Sequence, residues 1–179
     1  EEAYSIAILF AEFARENNLP LNLKILATDI HHGSLEIARA GIYPAEQLAG
    51  VEKKVLERYF TFRNGVYTVG SNLRHHVVFS LHNLLTDPPF TQIDLVSCRN
   101  LLIYLQPNAQ RKALSMFHFA LKSGGTLFLG SSESPGEISD EFQTIDKRWR
   151  LYRKRRDVRL PIESRLPLNV SGETMIGKK

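Results

Sequence analysis

The chain has 179 residues and is 43% hydrophobic, which is enough for one globular domain with a buried core and too little for two. Its net charge of +4 comes from residues 147–159, which carry eight Lys or Arg and one Asp, so the rest of the chain holds 15 basic and 18 acidic side chains. The single cysteine excludes an internal disulfide, no apolar run approaches the roughly 18 residues of a membrane span, and the first residues carry acids where a signal peptide carries Lys or Arg. We therefore expect a cytoplasmic protein without membrane insertion.

The first half of the chain predicts helices and strands in alternation. Residues 4–17 predict an opening helix with an apolar stripe at helical spacing. Residues 22–30 predict a short strand with Thr28 and Asp29 at its end, and the helical pattern after it stops at Gly41. The stripe of the opening helix consists of Ile6, Leu9, Phe10 and Phe13.

A further amphipathic helix is predicted over residues 51–60, and a β-hairpin follows it. Asn64 and Gly65 lie between β-type residues in the segment 59–69, which is a strong hairpin signal.

The second half predicts buried strands at residues 77–85, 93–98 and 126–132. Between the last two, a helix begins at Pro107 and ends at Gly124 and Gly125. Strands that alternate with helices imply a parallel sheet covered on both faces.

The end of the chain changes character twice. Residues 148–154 alternate basic and apolar side chains, as in an edge strand with one wet face. Residues 157–179 are polar and contain proline without periodicity, and we interpret them as a linker or tail.

Polar residues interrupt this apolar pattern where strands end. In an open α/β sheet, ligands bind outside the carboxyl ends of the strands. The interruptions at residues 28–29, 82–84, 98–100 and 130–132 all fall at that one edge. The sequence therefore places a binding site there.

Each interrupting residue has two interpretations. Asp29 either accepts the hydroxyls of a ribose or caps the next helix. Asn83 suits an adenine edge, although taken alone it is more typical of a turn. Arg99 can bind a carboxylate through two hydrogen bonds, or it is a surface arginine. Tyr104 can place its ring near a sulfonium, or it is a packed core residue.

Other polar clusters carry no chemistry in our interpretation. The pairs His31-His32 and His75-His76 lack the cysteine or carboxylate spacing of a metal site, so no metal is expected. Cys98 is interpreted as a small buried hydrophobe.

Two features suggest a nucleic-acid partner, but the position of one and the character of the other argue against it. Residues 87–90, Asp-Pro-Pro-Phe, are similar to a signature of adenine-N6 methyltransferases, but here they precede a strand instead of following it, which favours a turn. The basic residues 147–159 are more typical of a solvated edge strand than of a phosphate-binding surface. We expect no nucleic-acid partner.

Five segments in order and spacing identify a resemblance. The segments EEAYSIA, ATDIHHGSLEIARAGIY, FSLHNLL, DLVSCRNLLIYL and GSSES resemble the CheR-type chemotaxis receptor glutamate methyltransferases over about residues 1–154. The sequence around these segments is most similar to members of the family that lie inside larger fusion proteins, which also carry methylesterase and sensory domains.

The resemblance implies an S-adenosylmethionine-dependent enzyme that methylates glutamate side chains on receptor signalling helices and releases S-adenosylhomocysteine. It implies a Rossmann-like α/β domain over residues 1–156, with helices on both faces of the sheet and an inserted helix and hairpin at about 43–76. Because a glutamate carboxylate is already ionised at pH 7, no catalytic His or Cys is expected. The implied roles are ribose binding by Asp29, adenine binding by Asn83 and Leu84, binding of the cofactor's amino-acid end by Glu2, and lining of the transfer site by Arg99 and Tyr104, with Arg99 also counted as cofactor-binding.

The chain also departs from the family pattern. Ala3 stands where the family has proline, and the first strand and the glycine-bearing loop expected before Glu1 are missing, so we expect a fragment of a longer protein. A non-catalytic methyltransferase-fold scaffold in a signalling fusion is the main alternative. A nicotinamide-dependent dehydrogenase is a second alternative, because Asp29 would serve both cofactors.

Overall fold

The computed structural model describes residues 1–158 and 160, and it is an α/β structure of two compact units, Glu1–Asn83 and Leu84–Lys179. The first unit contains a parallel strand pair and a small antiparallel sheet, and the second contains a mixed four-stranded sheet. In the part of the chain that the structure describes, no helix is long and apolar enough to span a membrane.

In the first unit, β1 and β5 pair in parallel, with Asp29 opposite Leu81. A second sheet has the order β2-β4-β3, and both of its pairings are antiparallel. The elements are α1 (Glu2–Glu16), β1 (Ile25–Asp29), α2 (His32–Ala40), β2 (Ile42–Pro44), a 3-10 helix (Ala45–Leu48), α3 (Lys53–Tyr59), β3 (Phe60–Arg63), β4 (Val66–Val69), α4 (Ser71–Arg74) and β5 (Val77–Leu81).

Helix α1 forms as expected but buries a different face. Small residues and one tyrosine face the core, and the predicted stripe stays largely outside: Leu9 is 69% and Phe13 60% exposed. Alanine permits a close approach of the helix to its neighbours, and Tyr4 also donates its hydroxyl to the carbonyl of Ala38 at 3.2 Å. The buried residues of α1 are Tyr4, Ala7, Ala11 and Ala14.

The prediction of a buried strand is wrong for β5, and its partner β1 is likewise exposed on one face. Alternate residues of the pair, including Ala27 and Phe79, pack into the core of the first unit. Their neighbours face outward, with Leu26 at 41% and Val78 at 38% exposed. Side chains alternate across a strand, so an apolar run leaves one face uncovered wherever only one face has a packing partner.

The local turn predictions are confirmed. Asn64 and Gly65 both adopt positive φ, at 48° and 80°, and connect the paired strands β3 and β4. Gly41 ends α2 in the left-handed conformation at φ 62°. Such backbone angles are easy for glycine and tolerated by asparagine, which is why these residues mark turns in a sequence.

A network of ion pairs and hydrogen bonds around Glu12 joins α1 to α3. The carboxylate of Glu12 accepts hydrogen bonds from the guanidinium of Arg58, from the Tyr59 hydroxyl at 2.8 Å and from Arg15 Nη2 at 3.0 Å. These donors, led by Arg15, lower the pKa of Glu12 to about 2.

In the second unit, β6 and β7 are parallel, and β9 runs antiparallel to both of its neighbours in the order β6-β7-β9-β8. Helix α5 packs Leu114 and Phe117 into a core that also holds Cys98, which confirms the interpretation of that cysteine as a buried small residue. The elements are β6 (Ile93–Cys98), a 3-10 helix (Leu102–Tyr104), α5 (Pro107–Ala120), β7 (Leu121–Leu129), a 3-10 helix (Gly136–Glu141), β8 (Phe142–Asp146) and β9 (Leu151–Lys154).

Two predictions in this unit are wrong, one about where α5 ends and one about the neighbours of the last strand. Helix α5 ends at Ala120, and Gly124 and Gly125 lie inside β7 instead of ending the helix. Residues 148–154 were expected to form an edge strand, but β9 pairs on both sides, with β7 and with the unpredicted strand β8. Most of the expected linker, residues 157–179, lies outside the described residues.

Candidate functional site

In the first unit, Asp29 and Asn83 lie at the carboxyl end of the parallel pair. Asp29 is the last residue of β1, its carbonyl accepts a hydrogen bond from the His82 amide at 3.1 Å, and Asn83 follows directly. The β1–β5 register therefore brings these two predicted residues to one strand edge.

The structure argues against the helix-capping interpretation of Asp29. The side chain that caps α2 belongs to His31, whose Nδ1 accepts a hydrogen bond from the Ser34 amide at 3.1 Å. Asp29 instead accepts the His31 amide through Oδ1 at 2.8 Å, and its side chain is exposed. A fixed, exposed carboxylate at a strand end is suited to accept ligand hydroxyls.

Glu2 lies in the first turn of α1 and is exposed. The N-terminal end of a helix favours a carboxylate, because the helix dipole is positive there. Such a carboxylate is able to bind a cationic amino group. Asn83 is half-buried, and Leu84, the first residue of the second unit, packs against that unit's core.

In the second unit, Arg99 and Tyr104 follow the carboxyl end of β6. The guanidinium carbon of Arg99 lies 4.9 Å from the centre of the Phe128 ring on β7, a cation–π contact that restrains an otherwise exposed side chain. Tyr104 ends the 3-10 helix Leu102–Tyr104 and is 79% exposed, so the alternative that it is a packed core residue is wrong.

Sequence reasoning missed Glu133. It lies just after β7, is only 5% exposed, and accepts hydrogen bonds from the amides of Asn100, Leu102 and Gly130. Glu133 is part of the segment GSSES, but its partners are backbone groups that no residue pattern identifies. An acidic residue in a Gly- and Ser-rich strand end was the available signal.

His118 is a further buried polar residue, and it lies on α5. His118 is 1% exposed on α5, packs edge-on against Phe142 at 5.7 Å, and has an Nε2 atom without a hydrogen-bond partner. Burial lowers its pKa, and the positive charge of Lys154 lowers it further. Within residues 1–158 and 160, no group of three or more His, Cys, Asp or Glu side chains is arranged to hold a metal ion.

Comparison with known families gives one match over most of the chain. The family model described as "CheR methyltransferase, SAM binding domain" matches residues 1–151.

Curated relatives agree with this match. The chain is 44% identical over 166 residues to an uncharacterized 104.1 kDa protein of Rhodobacter capsulatus, covering 92% of the chain and 17% of that protein. It is 35% identical to chemotaxis protein methyltransferase 1 of Pseudomonas aeruginosa (81% of the chain, 55% of the relative) and 36% identical to the chemotaxis protein methyltransferase of Escherichia coli (79% and 51%). The chain thus spans 17–55% of the length of these relatives.

Among solved structures, a TehB-like SAM-dependent methyltransferase from Corynebacterium glutamicum is similar to this chain. It matches with a TM-score of 0.38 at 15% identity, covering 84% of this chain and 85% of that one.

Proposed function

This chain belongs to the CheR methyltransferase family, and from that premise we propose that it transfers a methyl group from S-adenosylmethionine to glutamate side chains of chemotaxis or related receptors. The resemblance read from the five sequence segments and the expected methyltransferase fold are confirmed by the family match. The observation that carries the proposed activity is the exposed carboxylate of Asp29 at the carboxyl end of β1, with helix capping left to His31.

The residues of the first unit fit the cofactor in three places. Asp29 accepts the two ribose hydroxyls, since an ionised carboxylate has only acceptor sites. Glu2, in the first turn of α1, binds the cationic amino group of the methionine part. Asn83 addresses the adenine edge, because its amide donates and accepts hydrogen bonds.

When bound, S-adenosylmethionine supplies an electrophilic methyl group on a sulfonium. The receptor glutamate is ionised at neutral pH, so its carboxylate would accept this methyl group directly. No proton moves, and no general base is required. The protein's task is to align carboxylate and methyl group and to exclude water from the carboxylate.

Arg99 and Tyr104 line the transfer site in this proposal. The guanidinium of Arg99 orients the substrate carboxylate with two hydrogen bonds. A tight ion pair also lowers the nucleophilicity of a carboxylate. The cation–π contact with Phe128 at 4.9 Å limits how far the Arg99 guanidinium moves towards the substrate carboxylate. The exposed ring of Tyr104 stabilises positive charge at the sulfonium.

The organisation of the protein is part of the proposal. We place the catalytic domain at residues 1–156, with an inserted helix and hairpin at about 43–76 and a linker or tail at 157–179. The proposed protein partners are receptor signalling helices, with fused methylesterase and sensory domains as further expected neighbours. The proposed location is the cytoplasm, where receptor signalling helices are accessible.

Calorimetric titration of S-adenosylhomocysteine tests the cofactor site directly. Asp29→Ala removes charge-assisted hydrogen bonds to the ribose, and we expect affinity to fall by about tenfold or more, the equivalent of one such bond of about 1.5 kcal/mol. Glu46→Ala, which removes an exposed carboxylate in the 3-10 helix Ala45–Leu48, is the matched control and retains wild-type affinity. A folded wild-type protein that binds no cofactor would favour the scaffold alternative.

A further inference from the structure

Glu133 is a buried carboxylate between two loops of the second unit. Among residues 1–158 and 160, Glu133 and Lys154 are the charged side chains that are buried. Oε1 of Glu133 accepts the Leu102 amide at 2.7 Å, and Oε2 accepts the amides of Gly130 at 2.7 Å and Asn100 at 3.0 Å. Burying a carboxylate is costly unless hydrogen bonds replace its hydration, and here three amides do so.

These hydrogen bonds connect the segments that leave β6 and β7. Asn100 and Leu102 belong to the segment after β6, 33 and 31 residues from Glu133 along the chain, whereas Gly130 directly follows β7. The Glu133 amide also donates to the Gly130 carbonyl at 3.0 Å, which closes the turn that carries the carboxylate. One side chain thus fixes both loops to each other.

The backbone around Glu133 leaves little room for another arrangement. Asn100 adopts the left-handed region at φ 57°, which asparagine tolerates better than most residues. A Cβ atom on Gly130 would lie 2.6 Å from Glu133 Oε2 and 2.8 Å from the backbone nitrogen of Asn100, which cannot move aside as a side chain could, so this position favours glycine. The close approach makes the loop geometry sensitive to the carboxylate.

The fixed segment carries the two residues assigned to the transfer site. Arg99 immediately precedes Asn100, and Leu102, whose amide Glu133 holds, is the first residue of the 3-10 helix that ends at Tyr104. Displacement of either amide would move the guanidinium or the phenol ring. An error of about 1 Å in the alignment of reacting groups costs on the order of 100-fold in rate.

We propose that Glu133 is a positioning residue for methyl transfer, which sets the orientation of Arg99 and Tyr104 through the amides of Asn100 and Leu102. The inference rests on the proposed function, because it assigns Glu133 to the same reaction. Glu133 itself touches neither substrate nor cofactor in this proposal.

The test uses Glu133→Gln, with Glu137→Gln as the matched control. Glutamine has one acceptor oxygen, so its NH2 group faces at least one amide donor and that hydrogen bond is lost. Glu137 lies in the 3-10 helix Gly136–Glu141, and its carboxylate pairs with Arg111 at an exposed position. We expect turnover per S-adenosylhomocysteine-binding site to fall about tenfold or more in Glu133→Gln, which corresponds to one lost hydrogen bond to a charged group. Glu137→Gln should stay within about twofold of wild type.

A double-mutant cycle with Arg99→Ala separates positioning from a general loss of stability. If Glu133 acts through the segment it holds, Glu133→Gln lowers turnover by a smaller factor in the Arg99→Ala background than in the wild type, because the effects of coupled residues are not additive. Full additivity of the two losses, or wild-type turnover in Glu133→Gln, would overturn the positioning role.

Amide hydrogen exchange tests the hydrogen bonds without any activity. In the wild-type chain, the amides of Leu102 and Gly130 should exchange slowly, and exchange should accelerate in Glu133→Gln relative to Glu137→Gln. Fast exchange of both amides in the folded wild-type chain would refute the inference at its structural step. Slow exchange with no methyl transfer by the wild-type protein would instead refute the proposed function, and with it the catalytic part of the inference.

Discussion

Replacement of the buried Lys154 by methionine should destabilise the second unit. The Nζ atom of Lys154 donates to the carbonyls of His118 and Leu121 at 2.8 and 2.7 Å and pairs with Asp157 Oδ1 at 2.6 Å. Helix α5 ends at Ala120, so these carbonyls lie in the last turn and beyond it, where the helix supplies no partner. The ammonium therefore acts as a cap from the neighbouring strand β9.

The magnitude follows from these contacts. Two hydrogen bonds from a charged donor contribute about 1.5–3 kcal/mol each. The pair with Asp157, a side chain that is 71% exposed, adds about 0–1 kcal/mol. Methionine recovers part of this loss, because it buries apolar surface and removes the cost of desolvating an ammonium. We expect a net loss of about 2–4 kcal/mol, and a lower melting temperature by about 5–12 °C.

Urea and thermal unfolding followed by circular dichroism measure this effect. Arg153→Met is the matched control, because it removes a cation from the adjacent, exposed position of β9. We expect the control to remain within about 0.5 kcal/mol of wild type. An equal stability of Lys154→Met and Arg153→Met would refute the assignment of Lys154 as the cap of α5.

Three further predictions concern pH dependence and the transfer site. The pKa of Glu12 lies near 2, so its contribution to stability is present above about pH 4.5 and is lost as the pH falls towards 2; Glu12→Gln should flatten this acid limb in pH-dependent urea melts, whereas Glu16→Gln should not. Burial, helped by Lys154, lowers the pKa of His118, so stability should fall as the pH drops below about 6.5, and His118→Gln should reduce this slope in the same melts. If the Tyr104 ring stabilises the sulfonium, Tyr104→Phe should retain most turnover while Tyr104→Ala loses about 3- to 30-fold in a methyl-transfer assay; equal losses would contradict a role of the ring.

Local turn chemistry explains which parts of the fold were predictable. The hairpin at Asn64 and Gly65 and the end of α2 at Gly41 depend on backbone angles that few residues adopt, so the sequence indicates them directly. The strands β1 and β6 were visible as apolar runs, and Asp29 and Arg99 were found because polar residues interrupt those runs at their ends.

Tertiary contacts decided the rest. The sequence favoured the Leu and Phe stripe of α1, but the face with Ala7 and Ala11 is buried, because small residues let the helix approach its neighbours closely. The alternation in residues 148–154 predicted a strand and not its neighbours, so β9 was misplaced at an edge. The role of Glu133 was not predictable, because two of its three partners are backbone amides more than 30 residues away along the chain.

Methyl transfer to a receptor signalling domain is the reaction that decides whether this protein is a glutamate methyltransferase. The protein is incubated with a receptor signalling domain and S-adenosylmethionine labelled in the methyl group, and the label is then released from the receptor with alkali. We expect labelled receptor that yields methanol on alkaline hydrolysis, because a glutamate methyl ester is base-labile, and we expect the labelling to be lost in Asp29→Ala. A folded protein that binds S-adenosylhomocysteine but leaves the receptor unlabelled, or label that resists alkali, would contradict glutamate methylation as its function.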